Sequence, residues 1–291
     1  MVFSTVKFSR VVITFFMIMT THSCTGDSFD ILEEFQDYPS PVYSDALIIA
    51  QWNIGHFSNG ISTKSSIDGS NFEQKRIEYQ TLISKIPANV YCINEYSVDF
   101  GKDAEEKKHT AESILFSDYP YSFIGHQRRY SCNAVFSKLN LDAVRELEYE
   151  CNQTAKITHN SAIGAKDYYF IEFTIRYKDI NVKVVNTHLA FDKNNVEVVL
   201  DQIRELVERY KDDEYVVLCG DWNTGASSFK LFSEAGYQLG NHGNYGSIVT
   251  REASGGSIDN IIVKGLKIVN FRAVNSKLSD HKPVVAALIL P

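Results

Sequence analysis

The chain has 291 residues, 44% of them apolar and 22% charged, with a formal charge of -7. This is an ordinary globular composition with material for a large core, better accounted for by one domain of roughly 250 residues than by two small ones. The acidic balance gives no electrostatic pull towards phosphate backbones, which argues against tight non-specific DNA binding without excluding a catalyst that has a local basic groove.

Lys7 and Arg10 precede the apolar run Val11 to Met19. A basic start and an apolar run shorter than the roughly 20 residues of a membrane span read as an export signal over residues 1–23. Cys24 follows Ser23 in an arrangement that resembles a bacterial lipoprotein processing site, although Thr21 and His22 stand where aliphatic and small residues are usual. Lipid on Cys24 and free secretion are the two alternatives, so a cell-envelope lipoprotein or a secreted protein is expected. Loss of the segment through Ser23 removes Lys7 and Arg10 and no acid, taking the formal charge from -7 to -9. Residues 24–44, acidic and carrying Pro39 and Pro41, read as a tether, and residues 45–291 as the domain. Cys92 and Cys219 lie in apolar runs, as small buried hydrophobes do. Spacing leaves a Cys132–Cys151 disulfide open, and no CxxC or Cys/His array points to zinc.

The first buried strand is Ala46 to Asn53, followed by a Gly/Ser/Asn-rich loop through Asn71 that is long enough to be functional. Phe72, Ile77, Leu82, Ile83 and Ile86 mark one face of a helix that Pro87 stops. Val90 to Ile93 is a short strand leading into Asn94-Glu95, and Asp103 to Phe116 reads as an exposed helix. Tyr121 to Gly125 and Asn133 to Ser137 are strands joined by a segment carrying Arg128 and Arg129, either a phosphate grip or a solvated hairpin tip. Leu147 to Cys151, Tyr168 to Tyr177 and Asn181 to Thr187 continue as strands, the last two forming a hairpin across Lys178-Asp179. An amphipathic helix from Asn195 to Tyr210 leads to the strand Val216 to Asn223. In extended backbone Asp221 and Asn223 would point the same way; the alternative is a strand followed by an Asx turn. A helix at Ser227 to Glu234, a Gly-rich loop through Gly246, and strands at Ser257 to Val263, Leu266 to Val274 and Pro283 to Leu290 complete the chain.

Asn53, Glu95, His188, Asp221, Asn223, Asp259, Asp280 and His281 each stand at the boundary of an apolar run. Any one of them alone reads as a cap, a turn or a satisfied buried histidine. Together they form a set of hard oxygen donors and imidazoles without a thiolate, which suits Mg²⁺, Mn²⁺ or Ca²⁺. The motifs WNI (Trp52 to Ile54), NE (Asn94-Glu95), NTHL (Asn186 to Leu189), GDWN (Gly220 to Asn223), SIDNIIV (Ser257 to Val263) and SDHKPV (Ser279 to Val284) fall in one order along residues 45–291. In that order they resemble the endonuclease/exonuclease/phosphatase superfamily of deoxyribonuclease-like, metal-dependent phosphohydrolases. The resemblance implies an α/β fold, a four-layer αββα sandwich of two mixed sheets flanked by helices. It implies that Glu95 binds the divalent metal with Asn53 and Asp280 holding the ligand shell, and that Asp221 and Asn223 position the attacking water and a phosphate oxygen. His281, held by Asp259, would be a base or an electrostatic clamp, and His188 would bond a phosphate oxygen or protonate the leaving group.

Three positions depart from the family pattern. Gly55 stands where a second charged residue often follows WNI, Ser257 where a basic residue often precedes Ile-Asp, and Cys132-Asn133 where glycine is commoner. The expected function is an exported phosphodiesterase, either a nuclease or a phospholipid head-group enzyme, working as a monomer on a phosphate ester. The alternatives are a phosphomonoesterase acting on inositol phosphates and an inactive binding module on the same fold.

Overall fold

Along the first strand, β1 (Leu47–Asn53), side chains alternate between two environments. Ile48, Ala50 and Trp52 join one apolar cluster, while Leu47 and Ile49 join a second. The next two residues on the second face are Gln51 and Asn53, both buried. This face therefore runs from apolar to polar along its length, a pattern that recurs in the strands around the site. The computed structural model describes residues 45–57, 72–97, 114–126, 132–153, 168–191, 196–241 and 248–291. The expected signal, the tether, the loop from 58 to 71, Arg128-Arg129, the loop 242–247 and most of the helix expected from Asp103 lie outside the described residues.

The remaining strands are β2 (Val90–Tyr96), β3 (Tyr121–Ile124), β4 (Cys132–Ser137), β5 (Asp142–Glu148), β6 (Tyr169–Tyr177), β7 (Ile180–His188), β8 (Val216–Asp221), β9 (Gln238–Leu239), β10 (Asp259–Lys264), β11 (Lys267–Ala273) and β12 (Val284–Ile289). They build two six-stranded mixed sheets, in the orders β11-β12-β1-β2-β4-β3 and β5-β6-β7-β8-β10-β9. The helices are α1 (Phe72–Lys85), α2 (Val196–Arg209) and α3 (Ala226–Glu234). Parallel pairing of β1 with β2 and of β7 with β8 requires long crossovers, which α1 and α2 provide.

Three apolar clusters define the layers. One lies between α1 and the first sheet, one between the sheets, and one under α2 and α3. Val199, Ile203 and Leu206 fix the face α2 presents, and a fully buried residue of this kind contributes about 1.5–3 kcal/mol. On α1 Leu82 and Ile83 are buried as expected and Tyr79 joins them, its hydroxyl donating to Leu278 O at 2.7 Å, whereas Ile77, expected on the apolar face, is 51% exposed. The strand expected at Leu147 to Cys151 begins earlier, at Asp142, and is followed by a 3-10 turn at Glu150–Gln153. As the outermost strand of its sheet β5 is exposed in part along its length, so its sequence carries charges where a central strand would not. Cys132 and Cys151 are separate thiols, and Cys92 and Cys219 sit in the layer between the sheets.

Candidate functional site

Topology brings the polar strand ends to one rim. In the parallel pairs Asn53 lies beside Asn94 and His188 beside Asp221, so the C-terminal ends of β1, β2, β7 and β8 point the same way. β10 and β12 run antiparallel to their neighbours, so their N-terminal ends reach that rim: Asp259 pairs with Asp221, and Asp280-His281 precede Val284, which pairs with Gln51. Alternation then selects the face. Val217 and Cys219 point between the sheets, and so does Asp221; Ile261 and Val263 do, and so does Asp259.

Glu95 breaks this rule. Tyr91 and Ile93 face α1, and strict alternation would send Glu95 the same way. The pairing of β2 with β4 shifts between Ile93 and Tyr96, and Glu95 has a left-handed φ of 50°. The extra residue is a β-bulge, which turns Glu95 to the rim beside Asn94.

Behind the rim lies a layer of amides. Gln51 Nε2 donates to Asn94 Oδ1 at 3.0 Å and to Asp259 Oδ1 at 3.2 Å. Asn94 Nδ2 donates to Asn133 Oδ1 at 2.9 Å and to Asn186 Oδ1 at 3.0 Å, and Asn94 Oδ1 accepts from the Asp221 N–H at 2.9 Å. Asn133, the departure from the family glycine, is thus a member of this network, and its Nδ2 donates to Tyr169 O at 2.9 Å. Gln51 carries no signal as a site residue beyond being polar inside an apolar run, whereas Asn186 opens the NTHL motif and Asn133 stands at a departure from the family pattern, although neither was expected as a site residue.

At the rim itself, Asn53 Nδ2 donates to Glu95 Oε1 at 3.1 Å and Asp221 Oδ2 at 2.9 Å, while its Oδ1 accepts from the Gly55 N–H at 3.1 Å. Asn53 therefore ties two carboxylates together with its amide nitrogen. Asp221 Oδ2 also lies 3.6 Å from His188 Nε2 and 3.7 Å from His281 Nε2. His188 Nε2 is 4.0 Å from Glu95 Oε1. His281 Nδ1 bonds Asp259 Oδ2 at 2.8 Å, and its Nε2 is 4.0 Å from Asp280 Oδ2. The His281 backbone is fixed from both sides: Trp52 Nε1 donates to its carbonyl at 3.0 Å, and its N–H donates to Ser279 Oγ at 3.2 Å.

Asn223 is placed differently from the extended geometry. β8 ends at Asp221, Asn223 has a left-handed φ of 47°, and its N–H donates to Asp221 Oδ1 at 2.9 Å. This is an Asx turn, and the Asn223 side chain donates to Leu189 O at 2.9 Å. Arg251 reaches the same rim, its Nε 3.3 Å from Asp280 Oδ2, and brings a cation close to the cluster although Ser257 is not basic.

Burial and charge set the protonation states. Burial disfavours a charged His281, but the charge and hydrogen bond of Asp259, then the charges of Asp221 and Asp280, outweigh it and raise its pKa to about 10. Burial, reinforced by the negative charge of Asp259, raises Asp221. Burial would also raise Glu95, yet the His56 hydrogen bond, the charges of His188 and His56 and the Asn53 amide bring it down to about 2.

Asp221, Asp259 and His281 offer ligand atoms within 4.8 Å of one another and so could hold a metal ion. Both Asp259 oxygens, however, are already engaged, by Gln51 and by His281. Glu95 and Asp280, each 27% exposed, are the more open carboxylates. A groove of about 370 Å³ lined by Ile77, Ile83, Ile114, Tyr119 and Lys138 shares no residue with the cluster.

Solved structures share this arrangement of sheets. An endonuclease/exonuclease/phosphatase from Beutenbergia cavernae DSM 12333 is 16% identical with a TM-score of 0.60, over 84% of this chain and 72% of that one. D. rerio TDP2 complexed with single strand DNA product is 13% identical with a TM-score of 0.62, over 84% and 99% of the two chains. The human Nocturnin catalytic domain with bound sulfate anion is 14% identical with a TM-score of 0.59, over 85% and 94%. A comparison with curated proteins found no match. Residues 50–281 match the Endonuclease/Exonuclease/phosphatase family, and with most of the chain accounted for in this way, the protein belongs to that family.

Proposed function

We propose that the protein is a divalent-cation-dependent hydrolase of phosphate esters, and within that class a phosphodiesterase. The observation that carries this reading is the position of Asp221 Oδ2, between the Nε2 atoms of His188 and His281 at 3.6 and 3.7 Å and beside a rim that contains Glu95. A buried carboxylate flanked by two imidazoles suits a reaction in which a water loses a proton as a phosphate ester bond breaks.

The donor set fits a hard cation: carboxylate oxygens of Glu95 and Asp280 at the open side, no thiolate, and Asn53 keeping the Glu95 carboxylate turned to the rim. Glu95 and Asp280 would hold Mg²⁺, or Mn²⁺ or Ca²⁺, with Asn53 supporting Glu95. When bound, such an ion neutralises charge on the phosphoryl group and on the leaving oxygen.

The chain's own groups divide the remaining work. Asp221, whose raised pKa makes it a better proton acceptor than an ordinary aspartate, takes the proton of the attacking water while Asn223 keeps the turn that orients it. His281, positively charged beside Asp259, acts as a clamp on a phosphate oxygen through Nε2–H. His188 hydrogen-bonds a second phosphate oxygen or supplies the proton that the departing alkoxide takes up. Export through the segment ending at Ser23 belongs to the same reading, with lipid on Cys24 as its attachment; the mass of the mature N-terminal peptide distinguishes lipidation from free secretion.

The direct test is hydrolysis of bis-p-nitrophenyl phosphate with Mg²⁺ or Mn²⁺, comparing the wild type with Glu95→Ala and His281→Ala. The wild type should be active, both variants strongly impaired, and EDTA should abolish turnover. Asp221→Asn should cost at least roughly 10²-fold. Equal background rates in all the proteins would instead indicate a binding module. Plasmid DNA, RNA, sphingomyelin and inositol phosphates assayed in one buffer then rank the substrate classes.

A further inference from the structure

We propose that His56 is a positioning residue that fixes the Glu95 carboxylate in the orientation in which it meets a divalent cation. The inference rests on Glu95 being a cation-binding carboxylate.

The backbone around His56 is unusual. Gly55, His56 and Phe57 all have left-handed φ values, of 58°, 55° and 58°. A bulky aromatic residue in this region is an outlier, and such conformations persist only when the surroundings enforce them. Here they do. Phe57 is fully buried, edge-on to Tyr79 with ring centroids 5.3 Å apart and to Tyr96 at 5.8 Å. The Gly55 N–H donates to Asn53 Oδ1 at 3.1 Å, and the Phe57 N–H to Ile54 O at 3.2 Å.

The product of this turn is one contact at the rim, His56 Nε2 at 2.9 Å from Glu95 Oε2. Glu95 meets it from the opposite side of the pairing, itself held left-handed at the β2 bulge. Two unfavourable backbone conformations, from two segments, thus converge on a single imidazole–carboxylate bond. Each Glu95 oxygen receives one fixed donor, Oε2 from His56 and Oε1 from the Asn53 amide, and each keeps a lone pair for a cation. His56 Nδ1 is enclosed and has no hydrogen-bond partner among the described residues, so Nε2 is the nitrogen through which the ring acts. Gly55 gives this turn its first left-handed residue.

Calorimetric titration of the full chain with Mn²⁺, together with melting in EDTA, tests this. His56→Gly suits the left-handed backbone and deletes the ring. It should melt in EDTA no lower than the wild type yet bind Mn²⁺ about 10- to 100-fold more weakly, the usual cost of losing a partner that orients a metal ligand. His56→Asn also tolerates the backbone, supplies a shorter amide donor, and should fall between the two; if His56→Gly does not fold, His56→Asn is read by the same criterion. Unchanged Mn²⁺ affinity in a folded His56 variant, with Glu95→Gln impaired, overturns the role of His56 alone. Equal affinity of the wild type and Glu95→Gln overturns the cation-binding reading of Glu95 on which it stands.

Discussion

His281 shows how the site couples protonation to folding. Its pKa is about 10 in the folded, cation-free protein, against roughly 6.5 for an unstructured imidazole. A raised basic pKa contributes stability that is complete below pH about 6.5 and is lost as pH rises through about 10. In EDTA the urea midpoint should therefore fall across this window, and His281→Gln should show a flatter profile; parallel profiles would mean that the imidazolium is not held as described. At this scale the residues at strand ends were legible from sequence, because a polar group closing an apolar run is visible in one dimension. Gln51 and His56 were not. Gln51 acquires meaning only when the second sheet brings Asp259 to it, and His56 only when a left-handed turn folds it back on Glu95. Arg251 stands just before the Ser257 position in sequence, but only the fold shows that its guanidinium reaches Asp280.

Among the elements, the strand pair β7–β8 has the least room for change. A Cβ on Gly220 would lie 1.9 Å from the Thr187 carbonyl oxygen, which is backbone and cannot swing away. Gly220→Ala must push the two strands apart beside His188 and Asp221, so it should cost more than the usual 1–3 kcal/mol of overpacking, about what a single added methyl group costs elsewhere. Chemical denaturation of the variant measures this, and a loss below about 1 kcal/mol would show that the pair can yield. Continuous apolar runs disclosed the central strands, whose two faces are both committed to cores, and amphipathic spacing disclosed α2, which buries one face and leaves Glu197, Asp201 and Arg204 on the other. These patterns misplaced β5, whose exposed side relaxes them, and they could not disclose the β2 bulge, which is a register shift against β4 and leaves no mark in β2 alone.

For the molecule as a whole, the site is a property of sheet stacking: neither sheet alone holds Glu95, Asp221, Asp259 and His281. A cation bound there should stabilise the folded state by linkage, about 2.7 kcal/mol at 100 times its dissociation constant. Thermal melts with and without Mg²⁺ should show this shift in the wild type and lose it in Glu95→Gln. The two-sheet architecture was legible only through the family resemblance that the order of the six motifs carries; the strand ends by themselves do not say how many sheets bring them together. The same stacking encloses Cys92 and Cys219, both completely inaccessible to solvent, with burial raising the Cys92 pKa well above that of a free thiol. Alkylating reagents followed by peptide mass spectrometry should modify these two cysteines together, at the rate at which the layers part. The interior thus carries its own clock for global opening, one that should run slower when the rim is occupied.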